Sequence, residues 1–489
     1  MIQSNLPAFQ VVFPLIAAPF CAVMPWKKLS WFLASAISLI TFIIALSICY
    51  YVVHNGPIYY VMGGWEAPFG IEYRVDLLNA LMLVMVSAIG ALTSVYSYNS
   101  VDSEIESARQ PSFYCLFLLC LAGLLGMLIT NDIFNIYVFL EISSLASYAL
   151  ISLGKDRRAL VAAFEYLILG TIGATLILLS IGLIYSMTGT LNISDISVRL
   201  PGLSNTLTIK AAMALFVMGL SLKMAVFPLH MWMTKSYTHA PSVITAFLAG
   251  TASKVAVYLF IRVLFTIFGY KFLPIYISEI LIILALFSIV VGSLVAVYQD
   301  NVKTMLAYSS VANIGYIVLA IAIANRSGIS AAVLTLFAHS FAKSALFMAV
   351  GCVAIKTGGV NIKNFKGIAA KMPFTMAAFL LAGLSLIGVP GTAGFLGKWS
   401  MLQALFEKNM WPVFVVVIFS SLLSIVYIWR IIEVAYFKDN FDEVEKISEA
   451  PFAMIMSLWV LVGASLFFGI YTKPLLIFSE GISKFLFNL

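Results

Sequence analysis

Charge is what this chain has least of. Asp, Glu, Lys and Arg make up 10% of its 489 residues, whereas 62% are hydrophobic. Mean hydropathy is +1.04. That balance excludes a soluble globular domain and matches a polytopic helical membrane protein. There is no Walker loop, no Gly-rich dinucleotide turn after a strand, and no supported Ser/His/Asp arrangement. The chain is therefore expected to carry no cofactor and no metal, and to have no catalytic site of its own. It reads as a secondary transporter or as a driven component of a larger machine. The cysteines are few, Cys21, Cys49, Cys115, Cys120 and Cys352, all in apolar stretches without zinc spacing. They read as small buried hydrophobes. No basic segment with a cleavage site opens the chain, so 6–25 is expected to be a retained first span.

What the sequence has in excess is long apolar runs. About fourteen are long enough to cross the hydrocarbon: 6–25, 30–53, 77–99, 111–130, 132–153, 160–187, 207–235, 241–268, 272–298, 303–324, 328–356, 374–405, 411–436 and 451–472. They are continuously apolar, which excludes a β-barrel, whose strands alternate. The expected fold is an all-α polytopic membrane protein. Loops after the odd-numbered runs hold Lys27, Lys28, Arg109, Lys155, Arg157, Arg158, Lys303, Lys363, Lys366, Lys371, Lys438 and Lys446. Those after the even-numbered runs hold mainly Arg74, Arg199, Lys271, Arg326 and Lys408. The positive-inside bias assigns the first group to the cytoplasm and both termini to the outer side of a cell membrane. The net charge of +7 is read as this loop bias, not as nucleic-acid binding. Segment 54–76 is too polar and too rich in Gly and Pro to span, and reads as an external hairpin. The tail 474–489 is short and apolar, and is expected to lie along the outer interface.

Against that background, Glu141, Lys223, Lys254, Lys343 and Lys398 stand inside apolar runs. One charge at the centre of a lone helix costs roughly 3 kcal/mol on insertion scales. Five such sites point to ion or proton passage; the competing reading is charges that glue helices together. Two echoes strengthen the first reading. GLSLKMAVFP begins at Gly219 and GLSLIGVP at Gly383, each placing a proline deep in a long run. Proline removes a helix hydrogen bond, so both helices are expected to break, at Pro228 and Pro390. Paired interrupted helices point to a transporter built from inverted repeats. Lys223 lies just before one break and Lys398 after the other.

Burial disfavours the charged form of a lysine, and a nearby carboxylate favours it. A lysine whose partner comes and goes can therefore load and release a proton. Glu141 is the expected partner of Lys223, and Lys254 lies near the middle of its run. His339 and Lys343 are four residues apart and share a helix face, with Ser340 and Ser344 beside them to hold water. The histidine is read equally as a relay group or a structural hydrogen-bonder. Lys398 is taken as the outward exit. His230 and His239 either pass protons in from the cytoplasm or are plain interfacial histidines. Among the remaining charges, Asp132 reads as solvated, Glu165 as close to Arg157 and Arg158, Arg430 as paired with Glu433, and Arg262 as snorkelling to the external interface.

The runs LITNDIFNIYVFLEISSLASYALISLG at 128–154 and YLILGTIGATLILLSIGLIYSMTGTLNISDI at 166–196 resemble the D subunit of the Mrp-type multisubunit cation/proton antiporters, as does GGWEAPFGIEYRVD at 63–76. GLSLKMAVFPLHMWMTKSYTHAPSVITAFLAGTASKVAVYLFIR at 219–262 is similar to the heart of the wider family, which includes the antiporter-like subunits of respiratory complex I and of membrane-bound hydrogenases. The resemblance covers nearly the whole chain. It implies fourteen helices with two inverted five-helix repeats, about 111–268 and 272–436, after an N-terminal segment 1–110 and before a C-terminal segment 437–489. It implies a polar axis at mid-membrane carrying Glu141, Lys223, Lys254, His339, Lys343 and Lys398. Some complex I relatives have glutamate at the last position; lysine fits the Mrp type or another complex I subunit. Partner membrane subunits, H+ and either Na+ or K+ are implied as well. The functional expectation is the proton-translocating subunit of a monovalent cation/proton antiporter. The alternatives are a proton-pumping subunit of an NADH:quinone oxidoreductase and a non-transporting scaffold.

Overall fold

The computed structural model describes residues 2–24, 26–269, 275–438 and 447–488. Lys271, Lys446, the start of the run at 272 and the last residue of the tail lie outside them. Its helices in chain order are α1 Ile2–Val23, α2 Lys27–Asn55, α3 Leu77–Glu104, α4 Gln110–Ile129, α5 Ile133–Ser152, α6 Arg157–Thr188 and the short α7 Ile193–Arg199. Next come α8 Leu207–Met224, α9 Met231–His239, α10 Ser242–Gly250, α11 Ala252–Ile261, α12 Ile275–Val297, α13 Val302–Ala322 and α14 Arg326–Thr357. Finally α15 Pro373–Ile387, α16 Ala393–Glu407, α17 Trp411–Phe437, α18 Phe452–Ile470 and α19 Lys473–Asn488 close the chain. Thirteen helical segments are long and apolar enough to cross a bilayer, and up to fourteen if a bent pair counts as one span. The protein is an all-α polytopic membrane protein.

The two proline breaks are present. Run 207–235 divides into α8 and α9 across Pro228, and run 374–405 into α15 and α16 across Pro390. The latter helices have 15 residues each, about 22 Å, less than one hydrocarbon thickness. A third interruption was not foreseen. Run 241–268 breaks at Thr251 (φ −121, ψ −62) between α10 and α11, then continues as a π-helical turn, Arg262–Ile267. The long α14 is buried over most of its length and forms the centre of the bundle.

The two halves reuse one junction. Ile133 N–H donates to the Leu191 carbonyl, and Ile193 N–H to that of Asn131. Val302 N–H donates to Val360, and Ile362 N–H to Asp300, in the same pattern. The long helix before each junction ends on a left-handed glycine, Gly189 or Gly358. Segment 54–76 is an antiparallel hairpin, with β1 Ile58–Val61 paired to β2 Glu72–Val75. The tail is one helix, α19, that buries Leu475, Ile482 and Leu486. Ser330 of α14 donates to the carbonyl of Ser479.

Several peripheral expectations are corrected. Arg262 does not snorkel outward; it is buried and paired with Asp76 and Asn79, because the start of α3 offers it a carboxylate and an amide. Glu165 bonds Lys235 at 2.7 Å rather than Arg157 or Arg158. Arg430 bonds Asp300 at 3.1 Å, while Glu433 pairs with Lys438 at 3.4 Å. Asp132 is not solvated but caps α5 by accepting from the Asn135 amide at 2.7 Å. Lys303 is not a free loop lysine; it is buried and donates to the Ala240 carbonyl at 3.0 Å.

Candidate functional site

Lys223 occupies the last turn of α8, where the chain leaves the helix through Ala225 in the left-handed region (φ 62). The break frees backbone groups at depth, and they find partners. Trp232 Nε1 donates to the Leu222 carbonyl at 2.9 Å, Val226 N–H to Ser221 at 3.0 Å, and Phe227 N–H to Ser288 Oγ at 2.9 Å. A stable opening results, as membrane depth requires. Lys223 Nζ donates to Ser144 Oγ at 2.8 Å and to Tyr148 Oη at 3.4 Å. Tyr148 can lie there because Gly170 leaves room: a Cβ at that position would stand 1.9 Å from its hydroxyl.

Glu141 lies one turn before Ser144 on α5. Its charge reaches Lys223 electrostatically. The expected direct ion pair is not made; among the described residues no carboxylate lies within 4 Å of the Lys223 ammonium. Glu141 Oε1 is buried without a partner. Lys223 instead bonds Ser144, one turn after Glu141 on α5.

Lys254 follows the Thr251 interruption. Its ammonium reaches back to the Ala249 carbonyl and to Ser253 Oγ at 3.3 Å. Gly250 permits the approach of α14, since a Cβ there would meet Ser344 Oγ at 2.0 Å. On α14, Lys343 donates to the Leu306 carbonyl at 2.8 Å and to Ser309 Oγ. His339 stands one turn away, 3% exposed, with both ring nitrogens unpartnered. α14 thus carries His339 and Lys343 against the interruption that holds Lys254. Ser340 and Ser344 donate to the carbonyls of Leu336 and Ala246, which leaves their oxygens free to accept.

Lys398 reaches back across the second break. Its Nζ donates to the Ile387 carbonyl at 2.7 Å and lies 5.3 Å from the centroid of the Tyr316 ring. The two half-helices close on each other because Gly394 has no side chain; a Cβ would stand 1.7 Å from the Ser385 carbonyl.

The histidines near α9 differ. His230 is buried against Phe227 and Tyr308, with Nδ1 unpartnered. His239 is partly exposed, and its Nδ1 lies 3.4 Å from Asp156. Beside it, Glu104 accepts from the amide and hydroxyl of Ser242, both at 2.7 Å. Glu104 was missed, because at the end of α3 nothing local marks it as a partner for Ser242.

Interrupted helices that carry Lys223, Lys254 and Lys398 inside an apolar bundle fit a class: an antiporter-like membrane subunit. The chain belongs to the family described as NADH:quinone oxidoreductase/Mrp antiporter, TM, which it matches over residues 130–424. NADH-quinone oxidoreductase subunit N of Desulforudis audaxviator is 40% identical over 440 residues, covering 89% of this chain and 87% of that one. The D subunit of the Na(+)/H(+) antiporter of Alkalihalophilus pseudofirmus is 27% identical, covering 98% and 96%. A chain of an archaeal membrane-bound sulfane sulfur reductase superposes with a TM-score of 0.90 at 31% identity, covering 99% of this chain and 98% of that one. A chain of the Mrp complex from Dietzia sp. DQ12-45-1b also gives 0.90, at 23% identity and coverage of 100% and 98%; that likeness shows the fold.

Proposed function

We propose that this chain translocates protons as one subunit of a multisubunit Na+ or K+/proton antiporter, in company with other membrane subunits. The relay comprises Glu141, Lys223, Lys254, His339, Lys343 and Lys398, and His230 and His239 serve uptake. One observation carries this reading. Every lysine of the row is held by neutral oxygens: hydroxyls for Lys223, carbonyls and hydroxyls for Lys254 and Lys343, a carbonyl for Lys398. A lysine locked to a carboxylate stays charged. One held by neutral acceptors can exist in either form, and a new charge next door shifts the balance. Protons can thus be passed by successive repulsion. The inverted repeats, about 111–268 and 272–436, each hold one proline break and two lysines of the row, Lys223 and Lys254 in the first and Lys343 and Lys398 in the second. Both termini are assigned to the outer side of the cell membrane, with the hairpin, and His239 to the cytoplasmic side.

A second reading is favoured by the 40% identity to subunit N: a proton-pumping subunit powered by redox chemistry in its partners. The composition of the purified complex decides, since flavin and iron–sulfur subunits would mark this reading and small membrane subunits alone the first. For either, Glu141→Ala and Lys254→Ala are expected to abolish proton flux in vesicles holding the assembled complex, with Na+ and K+ varied separately. Normal flux in both variants would leave the chain a scaffold.

A further inference from the structure

Two small cavities lie in register along the same helices. The first, about 30 Å³, is lined by Lys223, Ser143, Ser144 and Ser147, and is closed toward the hairpin by Met127, Leu140 and Leu259. The second, about 20 Å³, begins one turn further on each helix, at Thr130, Ile136 and Arg262, and is also lined by Arg74, Asp76 and Thr266. Each has room for a water, which needs about 10–15 Å³ and polar partners. The second cavity contains partners without a bond. Arg74 Nε and Thr266 Oγ1 are buried there and unsatisfied. Groups of that kind call for water.

From the second cavity a polar thread continues outward. Arg74 donates to Ser194 Oγ at 3.3 Å, and Asn131 Nδ2 donates to Ser194 Oγ at 2.9 Å and to Glu72 Oε2 at 2.7 Å. Arg74 and Glu72 are partly exposed on the hairpin. Arg262 opens the π-helical turn, a geometry concentrated at functional sites. Nothing in the relay uses any of these groups.

We propose that the two cavities are one gated water path joining Lys223 to the hairpin face, closed here by the side chains of Met127, Leu140 and Leu259 and by the Arg262–Asp76 ion pair. This path rests on the proton-translocating reading above and gives it a second outlet, away from Lys398. A proton arriving through water forms an O–H bond on an Asp76 carboxylate oxygen as the donor's O–H bond breaks. Asp76 becomes neutral, Arg262 is released, and the proton passes to water at the hairpin. The ion pair then re-forms.

The test uses the assembled complex in vesicles. Asp76→Asn keeps a good helix cap for α3 but does not serve as a proton acceptor at neutral pH. It is expected to lower cation-dependent proton flux at least tenfold with assembly unchanged. Thr266→Cys, in a chain whose native cysteines are replaced and which still transports, is expected to be blocked by Ag+ added on the hairpin side. If Glu141→Ala and Lys254→Ala also conduct normally, the relay itself is wrong. If those two are dead while Asp76→Asn runs within twofold of the parent and Thr266→Cys ignores Ag+, the path alone is overturned and Arg262–Asp76 is a structural lock. Should Asp76→Asn fail to assemble, the Ag+ result decides.

Discussion

At the first proline break Lys223 precedes the proline and is 7% exposed, held by two hydroxyls of the neighbouring α5. At the second, Lys398 follows the proline, is only partly buried, and holds a carbonyl of its own broken helix. The first lysine is therefore tied to another helix and to Glu141 beyond it. The second is tied to the break itself. An interior lysine with a distant carboxylate suits passing a proton sideways. One that is only partly buried, at a break, suits exchanging it with the surroundings.

That difference can be broken by substitution. Lys223→Ala removes an interior group bonded to two hydroxyls of α5, and should lower proton flux by about a hundredfold or more, the usual worth of a placed proton-transfer group. Lys398→Ala should cost less, about tenfold, because water can enter its partly open site. Equal losses in vesicles holding the assembled complex would erase the distinction. The backbone at the second break is the next target. Gly394→Ala drives a methyl into the Ser385 carbonyl and should destabilise by about 1–3 kcal/mol, lowering the melting temperature of the detergent-purified complex. Gly391→Ala has open space around it and only a positive φ of 90° to oppose it, so about 1 kcal/mol is expected. A reversed order would show that the half-helices are not held by that contact. The smallest effect is at the first break. Tyr148→Phe deletes one long hydrogen bond to Lys223 and keeps the ring, so flux should fall no more than about tenfold, matching roughly 0.5–1.5 kcal/mol.

The features carried by local chemistry were legible in the chain. Apolar length marked the spans, and the embedded prolines marked both breaks. The lysines were conspicuous because a charge in an apolar run has few bland explanations. The interruption at Thr251 was not read. Its signal is weak, a glycine followed by Thr251 and Ser253 with no proline. The partners were read worst. Arg262 and Asp76, Glu165 and Lys235, and Arg430 and Asp300 are far apart in sequence, and each was assigned to a neighbour or to solvent instead. Glu141 was expected to partner Lys223, but the lysine bonds Ser144 and Tyr148, an outcome that depends on how α5 is rotated against α8.

Composition and pattern alone determined that this chain lives in a membrane, where prolines interrupt its helices, and which side chains are costly there. They could do so because the cost of a proline or a charge in an apolar helix is local. Only the packed bundle decided which oxygens hold each lysine, that no carboxylate among the described residues locks Lys223, and that Arg262 turns inward. Those outcomes depend on the relative rotation and depth of helices remote in sequence, which side-chain packing sets and the order of residues does not display.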